Sequence, residues 1–248
     1  MNLYSTIRRI LNEETQKPKI LEFPSLEFFD NDPFEAWKII QKILQRKGNP
    51  PYSIDGDLYL YDTPIESLVN LQSVGGSLDL TGTQIKSLGN LQSVGGDLFL
   101  QGTPIESLGN LQSVGGYLDL FQTPIKSLGN LQSVGENLDL YGTPLVSLGN
   151  LQSVGGYLDL YETPLESLGN LQSVGGYLDL NGTEIKSLGS LQSVGRYLDL
   201  RDTPIESLGN LQSVGWDLRL IGTPLSKMYS EEEIRQMVNV DGNIYFKL

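Results

Sequence analysis

A period of 20 residues runs through most of this chain and limits what it can fold into. Nine threonines mark the copies: Thr63, Thr83, Thr103, Thr123, Thr143, Thr163, Thr183, Thr203 and Thr223. The apolar positions recur with them, and in the copy that starts at residue 157 they are Leu158, Leu160, Leu165, Leu168, Leu171 and Val174. One coil of this length cannot bury its own apolar face, whereas stacked coils share a continuous core. The repeat therefore predicts a solenoid.

The Leu-x-Leu pair in each copy indicates a short strand, because alternate side chains of a strand point to the same face. Stacked copies would pair these strands in parallel. We predict an α+β chain built on a single parallel β-solenoid of about nine 20-residue coils over residues 51–224. A helical N-terminal cap over residues 1–50 and a small helix/hairpin C-terminal cap over residues 225–248 are expected to cover its ends.

The sequence of the N-terminal region is typical of helices. Asp32 and Pro33 form a good N-cap and first-turn pair. Apolar residues follow at near-helical spacing: Phe34, Trp37, Ile40, Ile43 and Leu44. We expect this helix to cover the first coil. A shorter amphipathic segment precedes it, with Leu3, Ile7, Ile10 and Leu11 on one face.

At the other end of the chain, Ser230 followed by three glutamates indicates an N-cap and an acidic first helical turn. The stretch VNVDGNIYF that comes next predicts a small hairpin about Asp241-Gly242.

Two columns of turn residues have predicted structural roles. The glycines Gly75, Gly95, Gly115, Gly135, Gly155, Gly175, Gly195 and Gly215 do not vary, whereas the next position accepts Glu136, Arg196 and Trp216. The invariant glycine is therefore expected to need a positive φ angle. The threonine hydroxyls are expected to satisfy backbone groups that a tight turn leaves open.

The pattern L-x-L-x-x-T-x-I/L-x-x-L-x-x-L resembles the leucine-rich repeat, with Thr where that family usually has Asn. The accompanying stretch SLGNLQSVGGYLDL resembles the receptor L-domain type of repeat, from which this chain differs by its short, uniform period and its lack of cysteine. The resemblance covers about residues 54–224. It implies a solenoid fold and says nothing about a ligand.

The positions that vary between copies lie around the Leu-x-Leu pair and would point outward. Three such columns make a predicted binding face of acidic and aromatic residues. The middle column supplies Asp79, Asp119, Asp139, Asp159, Asp179 and Asp199. The two flanking columns supply Tyr117, Tyr157, Tyr177, Tyr197, Phe121, Tyr141 and Tyr161. Tyrosine suits binding because it offers contact area at low entropy cost and keeps a polar tip.

The charge of the chain favours a basic partner for this face. The formal net charge is −13, and residues 51–220 hold nineteen acidic against six basic groups. Such a surface repels nucleic acid and anionic membranes. Five consecutive aspartates should also repel one another, by roughly 0.8 kcal/mol per neighbouring pair in water and more at a protein surface. A different column avoids this cost by alternating sign through Glu66, Lys86, Glu106 and Lys126.

Most familiar catalytic and metal chemistry is not expected. The chain has no histidine and no cysteine, which removes imidazole bases, thiolate nucleophiles and the usual zinc ligands. Calcium-binding solenoids concentrate Gly and Asp in their turns, whereas these aspartates lie in strands. Equivalent aspartates also lack the asymmetry that glycoside hydrolysis requires. We therefore expect no cofactor and no enzymatic activity.

The sequence leaves several functions open. The leading hypothesis is a non-catalytic protein-binding module that takes a basic partner on the Tyr/Asp face. The alternatives are recognition of carbohydrate or a surface polymer, mimicry of nucleic-acid charge, and ice binding by the threonine column. Copying of a harmless Tyr-x-Asp unit is a further explanation, since cross-strand aromatic pairs stabilise sheets without a ligand. Neither a signal peptide nor a transmembrane run is evident, so we expect a cytoplasmic or virion-associated protein.

Overall fold

The computed structural model describes residues 20–24 and 33–247. The copies form a parallel β-solenoid of about eight turns with a 20-residue period. Each coil contributes one strand to each of two parallel sheets that run the length of the stack. The predicted fold class is confirmed, although the second sheet was not anticipated.

The first sheet, here called the Leu-Asp sheet, has ten strands and contains the predicted Leu-x-Leu pairs. Its register is that of the repeat, with Leu138 beside Leu158 and Asp139 beside Asp159. The strands are Leu58–Tyr59, Leu78–Asp79, Leu98–Phe99, Leu118–Asp119, Leu138–Asp139, Leu158–Asp159, Leu178–Asp179, Leu198–Asp199, Leu218–Arg219 and Ile244–Tyr245. Identical residues therefore stack in columns along the solenoid.

The second sheet, here called the Ser-Val sheet, has eleven strands. The sequence pattern did not predict this sheet, because the invariant glycines in this part of the coil indicate turns. The strands are Leu21–Phe23, Tyr52–Ile54, Leu71–Val74, Ser93–Val94, Ser113–Val114, Ser133–Val134, Ser153–Val154, Ser173–Val174, Ser193–Val194, Ser213–Val214 and Asn239–Val240. The remaining side of the coil has only isolated bridges, such as Ser87 with Ser107.

The core is the predicted one. All six apolar positions of the copy that starts at residue 157 are buried. The threonine column closes the turn after the Leu-Asp strand: the Oγ1 of Thr163 donates to the carbonyl of Leu160 at 2.7 Å, and the same bond forms in every copy from Thr63 to Thr223. The predicted role of the threonine hydroxyls is confirmed.

The prediction for the invariant glycines was wrong in its physical reason. The column from Gly75 to Gly215 does not adopt positive φ. Glycine is needed there because the coils approach closely: a β carbon on Gly155 would lie 2.9 Å from the carbonyl carbon of Gly135 and overlap its oxygen. The left-handed conformation occurs elsewhere in the coil, at the columns that contain Gly82 and Gly89.

The helix α1 (Pro33–Arg46) covers the first coil as predicted. Trp37, Ile40 and Leu44 are buried, while Phe34 and Ile43 are partly buried against the same core. The ring of Trp37 packs 6.0 Å from that of Tyr52. Asp32, the predicted N-cap, and the segment predicted to be amphipathic around Leu3–Leu11 lie outside the described residues.

Two short helices, α2 (Leu225–Met228) and α3 (Glu231–Met237), follow the last coil. Ser230 and Glu233 form a capping box, which confirms the predicted N-cap. The hairpin predicted about Asp241-Gly242 was wrong. Strand Asn239–Val240 joins the Ser-Val sheet and strand Ile244–Tyr245 joins the Leu-Asp sheet, each in parallel. The C-terminal segment thus copies the path of a coil and continues both sheets.

Candidate functional site: the Tyr/Asp strand face

The aspartates of the Leu-Asp sheet have a structural role that the sequence pattern did not reveal. In each, Oδ1 accepts the backbone N–H of the residue two positions later, which is an Asx-turn at the end of the strand. Asp159 accepts from Tyr161 at 3.0 Å and Asp179 from Asn181 at 2.9 Å. The same bond forms at Asp79, Asp119, Asp139 and Asp199. These turn bonds give a structural reason for aspartate at these positions that involves no ligand.

The second carboxylate oxygen differs from coil to coil. Oδ2 of Asp119 accepts from Gln101, and Oδ2 of Asp139 accepts from the hydroxyl of Tyr117 at 3.4 Å. Asp199 is neutralised by two guanidinium groups: Arg201 lies 2.7 Å and Arg219 lies 3.2 Å from its Oδ2.

Within the described part of the chain, no side chain donates to Oδ2 of Asp159 or Asp179. These two carboxylates each use one oxygen in the turn and leave the other open. They are half-buried, whereas Asp119 and Asp199 are only 4% and 1% exposed. The predicted acidic stripe is therefore accessible over part of its length.

The charge on this stripe is concentrated and partly shielded from water. Burial raises the pKa of Asp119, Asp139, Asp159 and Asp179 above the ordinary value for aspartate. Neighbouring carboxylates add to the increase in pKa at the last three, because the parallel register places the aspartates one strand apart. A cation placed there would relieve both costs.

An aromatic ladder borders the stripe on the side that precedes the aspartates. This upstream ladder consists of Tyr117, Tyr157, Tyr177 and Tyr197. The last three rings stack with centroids 4.9 Å apart at each step, and Tyr117 lies 6.4 Å from Tyr157 across the coil of Asn137. Burial is the main cause that raises the pKa of each of these tyrosines.

A second ladder borders the other side. This downstream ladder consists of Phe121, Tyr141 and Tyr161, with centroid distances of 5.3 Å and 5.6 Å. Phe121 and Tyr161 stand at its ends and are each 37% exposed. The aspartate column thus lies between two aromatic columns, one placed two residues before it and the other two residues after it in each coil. We call this the Tyr/Asp trough.

The predicted site residues are not all part of this trough. Asp79 is separated from the other aspartates by Phe99, its neighbour in the sheet. Asp199 is covered by the two arginines. The arginines were missed as site residues, although the sequence offered a signal: Arg201 and Arg219 occupy the outward columns in which other copies have neutral or acidic residues.

The threonine column is not a surface feature. From Thr83 to Thr223 its members are buried, and Thr63 is half-buried. Among residues 20–24 and 33–247, no three acidic side chains come together in a way that could hold a metal ion. No helix in the same part of the chain is long and apolar enough to cross a membrane.

Comparison with known proteins gives no assignment, since no family model, curated protein or solved structure matches this chain.

Proposed function

We propose that this protein is a non-catalytic binding module that takes a basic protein partner on the Tyr/Asp trough. The observation that carries the proposal is the pair of open carboxylate oxygens at Asp159 and Asp179. They lie in a column whose next member, Asp199, is paired with Arg201 and Arg219. An unpaired, partly buried charge is costly, and an external cation removes that cost.

The aromatic walls support a peptide more than a sugar. Stacking covers both faces of the Tyr177 ring, so its edge and hydroxyl are what a ligand in the trough can reach. A flat sugar ring packs best on a free aromatic face, whereas peptide N–H groups and guanidinium groups can donate to a hydroxyl oxygen.

Carbohydrate binding remains a second proposal because of the ends of the downstream ladder, where Phe121 and Tyr161 are exposed. A glycan array distinguishes the two proposals. Glycan capture that is lost on Tyr161→Ser but unchanged when the aspartates become asparagine would support the carbohydrate proposal and contradict ours. Mimicry of nucleic-acid charge is less well supported, since Asp119 and Asp199 are buried.

A relation to the leucine-rich repeats also stays a proposal. The period and the parallel Leu-Asp sheet favour it, but each coil contributes two strands and no helix. A leucine-rich repeat typically combines one strand with a helix or 3₁₀ turn.

The test of the basic-partner proposal is binding of labelled octa-arginine and octalysine, measured by fluorescence anisotropy. The variant Asp139→Asn/Asp159→Asn/Asp179→Asn should keep the turns, because an asparagine Oδ1 also accepts a hydrogen bond. With each exposed ion pair worth ~0.2–1 kcal/mol, affinity should fall about tenfold at low salt. Binding should also weaken as salt increases.

The matched control is Glu66→Gln/Glu166→Gln/Glu206→Gln, which removes the same charge from exposed positions outside both sheets. We expect it to change affinity less than twofold. Equal losses in the two triple variants would mean unspecific attraction to an acidic protein. Absence of binding by either peptide would also overturn the proposal.

A further inference from the structure

The Tyr-x-Asp unit at the end of the aspartate column, Tyr197 and Asp199, already holds a guanidinium group of its own chain. Arg219, from the following coil, lies 5.1 Å from the ring centroid of Tyr197 and donates to Oδ2 of Asp199 at 3.2 Å. Tyr177 and Asp179 are the same two residue types one coil earlier, and there Oδ2 has no donor among the described residues. The ring of Tyr197 covers the face of Tyr177 that corresponds to the one Arg219 packs on. A cation at Asp179 would therefore reach the carboxylate and the edge of the Tyr177 ring, and the chain itself shows a guanidinium group bound to a carboxylate of this column.

A guanidinium group matches the unit better than an ammonium group. Its planar fork can donate to a carboxylate and to a neighbouring oxygen at once, and it packs well on aromatic rings. Arg201 also uses two nitrogens on Asp199, with Nε at 2.9 Å from both carboxylate oxygens. Lysine would supply the charge as a compact, strongly hydrated point.

The spacing of the aspartates selects the conformation of the ligand. Neighbouring strands lie ~4.8 Å apart, so every second aspartate is separated by ~9.6 Å. A polyproline II helix advances ~9.3 Å in three residues and returns to the same face. A β-strand returns to the same face after ~6.6 Å, which matches neither spacing.

An α-helix is the competing geometry, because three helical residues advance ~4.5 Å, close to one coil. The width of an α-helix disfavours this geometry. The ladders flank the aspartates by two residues on each side, or ~6.6 Å, and the rings narrow the space further. A helix is ~10–12 Å wide with its side chains and would rest on the rims of the trough.

Two aspartates with the required separation lie in the accessible part of the stripe. Asp139 and Asp179 are half-buried and two coils apart. Oδ2 of Asp179 is open, and Oδ2 of Asp139 accepts a long bond of 3.4 Å from the hydroxyl of Tyr117, which an arginine would have to replace or share. The alternative pair, Asp119 and Asp159, includes a carboxylate that is 4% exposed and bonded to Gln101. The pair Asp159 and Asp199 includes one that is already neutralised.

From these observations we infer that the partner presents an extended segment in the polyproline II conformation with two arginines three residues apart, which pair with Asp139 and Asp179. The inference rests on the binding function proposed above and specifies the chemistry of the partner.

The test compares four labelled peptides by fluorescence anisotropy at low salt. PPRPPRPP has arginines three residues apart, and PPRPRPPP has the same composition with arginines two apart. PPKPPKPP replaces arginine by lysine, and an alanine-based helical peptide carries arginines three residues apart. We expect PPRPPRPP to bind at least fivefold more tightly than each of the other three.

Three single variants with the same change of charge locate the contact. Asp139→Asn and Asp179→Asn should each abolish the preference for PPRPPRPP over PPRPRPPP. Asp159→Asn, on the coil between them, should preserve it. Circular dichroism checks that all three variants remain folded.

The outcomes separate this inference from the function on which it rests. If the four peptides bind equally and the triple aspartate variant weakens all of them, the basic-partner function stands and the arginine spacing is wrong. Tighter binding of the helical peptide or of PPKPPKPP likewise overturns the inference alone. If no peptide binds and octa-arginine also fails to bind, both proposals are wrong.

Discussion

At the scale of single residues, the residue type found after the invariant glycine depends on the side chain that lies beneath it in the preceding coil. Where the first outward column holds a short polar residue, its side chain accepts a backbone N–H of the next coil, as Asp97 does from Tyr117 at 2.7 Å. In each such case, the residue of the next coil that lies over this side chain is a glycine. The pairs are Asp57 with Gly76, Ser77 with Gly96, Asp97 with Gly116, Asn137 with Gly156, and Asp217 with Gly242.

Tyrosine in the same column removes this restriction. Glu136, Arg196 and Trp216 lie above Tyr117, Tyr177 and Tyr197. The physical reason is that a β carbon above a short polar side chain would overlap its accepting oxygen, as at Gly116 above Asp97. A tyrosine side chain places no oxygen there.

This rule predicts different outcomes for one substitution in adjacent coils. Gly156→Arg, above Asn137, should lower the free energy of unfolding by about 1 kcal/mol or more, because it breaks the hydrogen bond from Tyr157 to Asn137. Gly176→Arg, above Tyr157, should lower it by less, because its β carbon would crowd only backbone atoms of the coil below, the nearest being the carbonyl carbon of Gly156 at 2.7 Å, and would break no side-chain hydrogen bond. Urea denaturation monitored by circular dichroism measures both.

The double variant Asn137→Tyr/Gly156→Arg provides the control, since it recreates the combination found at Tyr177 and Arg196. We expect it to recover most of the stability lost in Gly156→Arg. Equal destabilisation by Gly156→Arg and Gly176→Arg would contradict the rule.

The aspartate column predicts an unusual dependence of stability on pH. Burial raises the pKa of Asp159 in the folded protein, so the folded state binds its proton at higher pH than the unfolded chain does. The resulting destabilisation is complete at neutral pH and disappears as pH falls below the ordinary aspartate pKa of ~4. Asp159→Asn should therefore stabilise the free protein at pH 7, by on the order of 0.5 kcal/mol.

The same variant should lose its advantage over the parent protein near pH 3, where Asp159 is protonated in both states. Chemical denaturation at the two pH values measures this. Asp159→Ala is the control: it removes the charge but also the turn bond to Tyr161, and should be less stable than Asp159→Asn. A stabilisation by Asp159→Asn that is independent of pH would contradict the electrostatic explanation.

At the scale of elements, the sequence predicted what depends on side-chain pattern and missed what depends on the neighbouring coil. Leu158 and Leu160 show the period of a strand, and the threonines recur where a turn must follow. The Ser153–Val154 strand has only two residues and therefore no readable alternation. The need for Gly155 arises from a carbonyl 20 residues away, which no local pattern contains.

The C-terminal cap depends on one side chain that connects its helix to its strands. Arg235, on α3, pairs with Glu231 and donates to the backbone carbonyls of Val240 at 2.7 Å and Gly242 at 2.9 Å. Arg235→Ala leaves these groups without that partner. We expect a loss of about 1–3 kcal/mol, since hydrogen bonds from a charged donor are in that range.

Hydrogen exchange measures where that loss occurs. Protection should fall at residues 239–245 first, while the coils before residue 200 keep theirs, because each coil contacts only its neighbours. Arg235→Lys, which keeps the charge but can satisfy fewer acceptors, should be intermediate. Uniform loss of protection along the whole solenoid would contradict this description of the cap.

At the scale of the whole molecule, the sequence predicted the architecture far better than the site. The columns of aspartate and tyrosine were visible in the repeat, but only the structure shows which carboxylates remain open. Asp159 and Asp179 are indistinguishable from Asp199 by sequence position. They differ because, among the described residues, Arg201 and Arg219 form ion pairs with Asp199 and not with Asp159 or Asp179.

A solenoid held together by contacts between neighbours should tolerate removal of one complete coil. Deletion of residues 141–160 joins Leu140 to Tyr161, and deletion of residues 81–100 joins Leu80 to Gln101. Both deletions preserve the register of the Leu and Thr columns. In both, the short polar side chain before the join is again covered by a glycine of the next coil. We expect both proteins to unfold cooperatively at similar temperatures, a few degrees below the parent.

Only the first deletion should alter recognition. It brings Asp139 and Asp179 onto adjacent coils, ~4.8 Å apart, whereas deletion of residues 81–100 leaves them two coils apart. The preference for arginines three residues apart should therefore disappear in the first protein and persist in the second, which has lost the same length of chain. Deletion of residues 141–159, one residue short of a period, should be less stable than deletion of residues 141–160, because it leaves Leu160 directly after Leu140 and breaks the inward–outward alternation at the join. Retention of the spacing preference after deletion of residues 141–160 would show that these two aspartates do not set it.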